Sequence, residues 1–322
     1  MIWNSNEKGY ACKSKDNDIR IKSSSGGIFY YLAKTIIEEG GYVCGCVYDA
    51  DFMPQHIVSN KISDVKLMMG SKYATSNWSD CISEMEQLLS RGEKVLFSGV
   101  PCQITAVRKS LDKYGDLLIC VSVVCHGTFD RKIWAEYLNQ VKKDKKITSV
   151  TMRDKSKGWS NYGLKIVFDD DSSIINYRKE DGYLLKCFTD GVLEREPCLK
   201  CAFKRNRIEA DLLLGDGWKM ESVYPEMEDT LGTSLVVVIT ALGKKLFDSI
   251  KGYLDYRHIP VDKIVEMNPR IMTSEKDVPN RKKFKRDFEK RPSDVCSLLK
   301  KYAKPSYVNR AKNLIGRVIK RR

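Results

Sequence analysis

Four cysteines in three short motifs are the residues of this chain best suited to chemistry: Cys102 in GVPCQ, Cys125 in VCHG, and the pair Cys198 and Cys201 in PCLKC. Each lies where a strand pattern ends or a loop turns. A cysteine that only fills a core sits on an apolar face, whereas one flanked by Gly, Pro and His on a loop is placed to bind metal. Four soft thiolates favour an iron–sulfur cluster or zinc over magnesium or calcium. Spacing leaves two readings open. Either the four are brought together by folding, unlike a local ferredoxin run, or only Cys198 and Cys201 bind anything and the other two are loop thiols.

Other groups could serve a cofactor. Ser23-Ser24-Ser25-Gly26-Gly27 precedes a helical pattern and offers free backbone N–H groups to an anion such as a nucleotide phosphate; ordinary helix capping explains the same residues. Gly70-Ser71-Lys72-Tyr73, in the loop GSKYATS, adds a cation, hydroxyls and a ring, and reads equally as a solvated turn. His126 could donate a proton beside Cys125, or be structural. Asp216 and Trp218 end an apolar strand and either line a pocket or close the domain's edge.

The elements that must position these groups alternate in type. A helix is expected over Ile28 to Glu39, stopped by Gly40-Gly41, then a strand over Tyr42 to Asp49. A helix over Asp80 to Arg91 leads to a short strand over Lys94 to Phe97, which GVPCQ turns into a helix. Leu117 to Val124 is a β-rich run ending at Cys125, and Arg131 to Lys142 reads as helix. This rhythm predicts an α/β class, with a mixed, largely parallel sheet flanked by helices. From about residue 147 the pattern becomes α+β: a hairpin over Gly163 to Phe168 and Ser173 to Tyr177, a helix over Tyr183 to Thr189, and apolar strands over Asp211 to Leu214 and Ser234 to Thr240. The expected division is 1–145, 146–256 and a basic helical extension, 257–322. Motifs at residues 98–103, 125–127, 198–201 and 215–218 fall at strand ends, the edge where open α/β sheets bind ligands, so Gly99 joins the candidate set.

Composition bounds the function. The chain has 322 residues, 42% of them hydrophobic, and no apolar run approaching the roughly 18 residues that span a bilayer. The start, MIWNSNEKGY, has no apolar signal region, and eleven cysteines without one point to a reducing cytoplasm rather than to disulfides. The net charge of +14 is concentrated: residues 281–322 carry 16 Lys and Arg against 3 Asp and Glu, which leaves 40 basic and 39 acidic residues for the rest. That argues against a nucleic-acid surface on the body. The last segment, SYVNRAKNLIGRVIKRR, repeats apolar residues at helical spacing with basic faces. It suits peripheral contact with anionic lipid at the inner face of the membrane, or a solvated helix packed on its own body.

The motifs SSSGGIF, GSKY, VLFSGVPCQI, VCHG, MRDKSKGW, PCLKCAF and LLLGDGW occur in this order over about residues 8 to 245. The set resembles the beta-subunit family of coenzyme F420 hydrogenases and dehydrogenases. The resemblance implies a flavin and iron–sulfur protein in which Cys102, Cys125, Cys198 and Cys201 ligate a 4Fe-4S cluster. It places Ser24, Ser25, Gly26, Gly27, Gly70, Ser71, Lys72, Tyr73, Gly99 and Asp216 around FAD or FMN. Only Cys12 lies upstream of SSSGG, so the ferredoxin-like segment of many members is missing. The expected partner is then a ferredoxin or ferredoxin-like subunit, with a deazaflavin or other two-electron acceptor. GDGWK, with Gly217 and Lys219, and Val100 in GVPCQ depart from the family pattern.

The expectation is a cytoplasmic flavin- and iron–sulfur-dependent oxidoreductase, with His126 handling protons. The alternative is a non-catalytic descendant with a structural zinc or cluster site that docks a partner or membrane. Visible absorption distinguishes them: a cluster is brown, flavin yellow, zinc colourless.

Overall fold

The computed structural model describes residues 8–204 and 208–303. The strands are β1 (Lys8–Ser14), β2 (Tyr42–Tyr48), β3 (Pro54–Ser59), β4 (Val95–Gly99), β5 (Leu118–Val123), β6 (Ile147–Asp154), β7 (Gly163–Phe168), β8 (Ser173–Tyr177), β9 (Leu212–Asp216), β10 (Ser234–Val238) and β11 (Leu254–Ile259). Eight of them form one sheet in the order β11-β1-β10-β9-β5-β4-β2-β3. Its centre, β2-β4-β5-β9, is parallel, and the flanking pairs are antiparallel. The expected mixed α/β sheet is therefore present, and it draws strands from both sides of residue 145.

The central strands read as unbroken apolar runs because both of their faces are covered. Val95, Leu96 and Phe97 of β4 and every residue of β10 are buried. The helices Ile28–Glu38 and Ala241–Ile250 cover one face. The helices Cys81–Ser90, Pro101–Leu111 and Val261–Met267 cover the other.

A second core lies beside the first. The antiparallel sheet β6-β7-β8 packs with the helices Arg131–Lys142, Tyr183–Thr189, Pro279–Lys290 and Val295–Tyr302. Within the expected basic extension, 257–322, the segment 279–302 buries Phe284, Phe288, Val295, Leu298, Leu299 and Tyr302 in this core. Their lysines and arginines line the outer face, apart from Arg281, which is buried and pairs with Glu196 and Asp277. The segment proposed to touch lipid, 306–322, lies outside the described residues. No helix among the described residues is long and apolar enough to cross a membrane.

Candidate functional site

The parallel strands β4, β5 and β9 end side by side. Gly99, Val123 and Asp216 mark those ends, and past them open GVPCQ, VCHG and GDGW. A cleft of about 420 Å³ runs along this edge, within the size range of small-molecule sites. Ser24, Ser25, Gly27, Gly70, Ser71, Lys72, Tyr73, Gly99, Cys102, Cys125, His126 and Asp216 all line it. Of the expected cofactor residues, Gly26 alone does not. Cys198 and Cys201 do not line it.

At one end the serine–glycine turn enters the helix Ile28–Glu38. Gly26 passes so close to β1 and β10 that a β-carbon would meet the Cys12 carbonyl oxygen at 2.3 Å and the Ser234 nitrogen at 2.9 Å. Gly27, at φ +88°, is the helix N-cap and has no side chain to close it. The first N–H groups of the helix thus lack a capping side chain, and Ile28 and Phe29 line the cleft. Ser24 and Ser71 share a hydrogen bond of 2.7 Å, while Ser25 donates to the Thr233 carbonyl at 2.7 Å. Gln103 ties the next wall together: its amide nitrogen donates to Ser76 Oγ at 3.0 Å and its oxygen accepts from Val100 N–H at 3.0 Å.

Two lysines brace this end, Lys155 buried and Lys72 half-buried. Lys72 donates to the carbonyls of Leu67, Met68, Met69 and Gly70 at 2.9–3.3 Å, at the end of the helix Ile62–Met68. Burial lowers its pKa to about 8. Lys155 donates to the carbonyls of Arg20, Ser25 and Leu231 at 2.7, 3.1 and 2.7 Å. Burial, then Arg153 and Arg20, lower its pKa to about 7.

Between the two ends Arg153 of β6 reaches Asp216 of β9 at 2.6 Å and is 5% exposed. Its guanidinium carbon lies 4.4 Å from the centre of the Tyr162 ring and 5.5 Å from that of Trp218. Trp218 stacks on Trp159 at 4.3 Å. These contacts join the two sheets. Asp216 was readable as a pocket residue after an apolar strand; Arg153 stands in the motif MRDKSKGW but carries no signal that separates it from a surface arginine.

At the other end, Cys102 sits in the first turn of Pro101–Leu111, Cys125 follows β5, and Cys198 lies in the short helix Glu196–Leu199 just before Cys201. The charges of Cys198 and Cys201 bear on both Cys102 and Cys125. Burial pushes Cys125 up to about 12, and the charges of Cys198, Cys102 and Cys201 add to the rise. Desolvation, then Cys201 and Cys198, raise Cys102, although that residue is exposed overall. No three His, Cys, Asp or Glu side chains among the described residues sit close enough together to hold one metal ion. In donor chemistry the four sulfurs fit an iron–sulfur cluster, which needs thiolates alone.

His126 Nε2 lies 3.3 Å from Glu194 and 3.2 Å from Glu275, without alignment for a hydrogen bond. Its ring meets Phe188 edge-on at 5.1 Å. Glu194 is buried and its pKa is raised by desolvation; Glu275 also pairs with Arg270. Sequence reasoning missed both carboxylates, which look like surface charges when read along the chain.

Comparison with known proteins agrees with this architecture. The structure is similar to a chain in the F420-reducing [NiFe] hydrogenase complex from Methanosarcina barkeri, with a TM-score of 0.58 and 21% identity over 89% of this chain and 95% of that one. At that identity the likeness is one of fold. No curated protein matches the chain. The family model for the beta-subunit N-terminus of coenzyme F420 hydrogenase/dehydrogenase matches residues 9–83, and that for the C-terminus matches residues 92–262. With the second match alone covering more than half of its length, the chain belongs to the coenzyme F420 hydrogenase/dehydrogenase beta-subunit family, a family of oxidoreductase subunits.

Proposed function

We propose that the protein is a flavin- and iron–sulfur-dependent oxidoreductase that passes electrons between a two-electron substrate or coenzyme and a cluster held by Cys102, Cys125, Cys198 and Cys201. One observation carries the reading: the serine–glycine turn and GSKY at one end, and Cys102 and Cys125 at the other, line a single cleft.

A flavin supplies the conversion between two-electron and one-electron transfer, and a cluster supplies the one-electron store. The chain's own part is to bind, orient and shield. The N-terminus of Ile28–Glu38 offers N–H groups and a positive dipole end to a phosphate. Ser24 and Ser71 hold the two loops together at that point. Tyr73, Tyr162 and Trp218 line the cleft and would shield a planar ring from water. His126, between the cleft and two carboxylates, is the group placed to hold a proton near the thiols. A ferredoxin-like protein is the proposed partner.

Anaerobic purification with iron, sulfide and flavin analysis tests the assignment. The expected result is a brown protein with iron and sulfide in equal amounts and one flavin per chain. Stoichiometric zinc with neither sulfide nor flavin rejects it.

A further inference from the structure

We propose that Lys204 sets the reduction potential of the sulfur-ligated centre: its ammonium is a fixed positive charge beside the four cysteines that favours the more negative, reduced form. The proposal rests on the iron–sulfur reading above and adds to it a residue and a role.

Lys204 stands three residues after Cys201, in the run PCLKCAFK. It is 5% exposed. Its Nζ donates to the carbonyl oxygens of Cys125, Arg270 and Thr273 at 2.7, 2.8 and 2.8 Å. Three acceptors saturate the three N–H bonds of an ammonium, so the group cannot swing away without breaking all of them. They neutralise none of its charge. The neighbouring carboxylates are engaged elsewhere: Glu194 and Glu275 face His126, and Glu275 pairs with Arg270. Burial disfavours its charged form, Cys125, Cys201 and Cys198 favour it, and Arg270 opposes it.

A buried ammonium is costly unless an anion lies nearby. Here the anions on offer are the sulfurs. Lys72 and Lys155 are also ringed by carbonyls, but at the serine–glycine end of the cleft. When the centre accepts one electron from the flavin or from a reduced partner, its charge becomes more negative by one and no bond in the protein forms or breaks. In a low-dielectric setting a rigid cation at this position stabilises the product of that step more than the reactant.

The test compares reconstituted wild type, K204Q and K204R. Iron and sulfide are measured first, then the midpoint potential by visible and EPR-monitored titration with dithionite. K204Q is expected to retain iron and sulfide, with its reduced-to-oxidised ratio at a fixed potential lowered about tenfold, which is 59 mV for one electron. K204R is expected to stay near wild type. Equal midpoints in wild type and K204Q overturn the proposal. Loss of iron and sulfide from K204Q makes Lys204 a cross-link required for assembly and also overturns it. A wild-type protein that takes up neither iron nor sulfide sinks the cluster reading itself, before any variant is compared.

Discussion

Ser24 and Ser71, 47 positions apart in the chain, meet through their hydroxyls at 2.7 Å and join two loops at the rim of one cleft. If those loops grip a flavin, loosening the joint weakens the grip. S24A and S71A are each expected to raise the flavin dissociation constant about fivefold, the loss of a hydrogen bond worth about 1 kcal/mol. Fluorescence quenching of added FAD measures this, with the circular dichroism spectrum unchanged.

Iron content separates the four proposed ligands from the other thiols. Replacing Cys102, Cys125, Cys198 or Cys201 with serine is expected to strip most of the iron and the broad visible shoulder. C187S, whose thiol donates to the Leu299 carbonyl inside the second core and does not line the cleft, is expected to keep both. Retention of full iron by any two of the four single variants would remove the shared-centre assignment.

The Arg153–Asp216 pair is buried on the arginine side. Removing one partner strands a charge, at a cost of about 3–5 kcal/mol. D216N should therefore lower the urea midpoint strongly. R153M/D216N, which removes both charges, should recover a large part of the loss. Full additivity in that double-mutant cycle would show the two residues to be energetically independent.

His56 predicts a pH dependence. Its ring is buried against Phe97, and burial lowers its pKa from the ordinary 6.5 to about 4. The unfolded chain takes up the proton first, so the stability this neutral ring contributes is intact above pH 6.5 and falls as the pH drops toward 4. Between pH 7.5 and 5 the loss attributable to His56 is about 2 kcal/mol. Urea denaturation of wild type and H56N across that range isolates it: the wild type should lose more stability than the variant.

The parts of the fold legible in the sequence are those governed by local pattern. VLF, LICVSV and SLVVV announce buried strands, and the Asp169-Asp170-Asp171 turn announces the hairpin β7–β8. β1 was not legible. KGYACKS carries two lysines and a glycine, and it becomes a strand because β10 and β11 pair with its two edges. The four cysteines, the serine–glycine turn and GSKY stood out because Cys and Gly have few neutral uses on loops. Arg153, Glu194 and Lys204 did not, because a buried charge is spelled like an exposed one. What distinguishes Lys204 is three backbone carbonyls contributed by residues 125, 270 and 273, a coincidence that exists only after folding.

The position of β1 between β10 and β11 has a consequence for biosynthesis. β1 is made before either of its sheet neighbours: β10 is complete only at residue 238 and β11 at residue 259. The turn that follows β1 is wedged against β10 as well. The rim that the serine–glycine turn contributes to the cleft therefore takes shape only once β10 has been made, and a flavin held there would bind after that point.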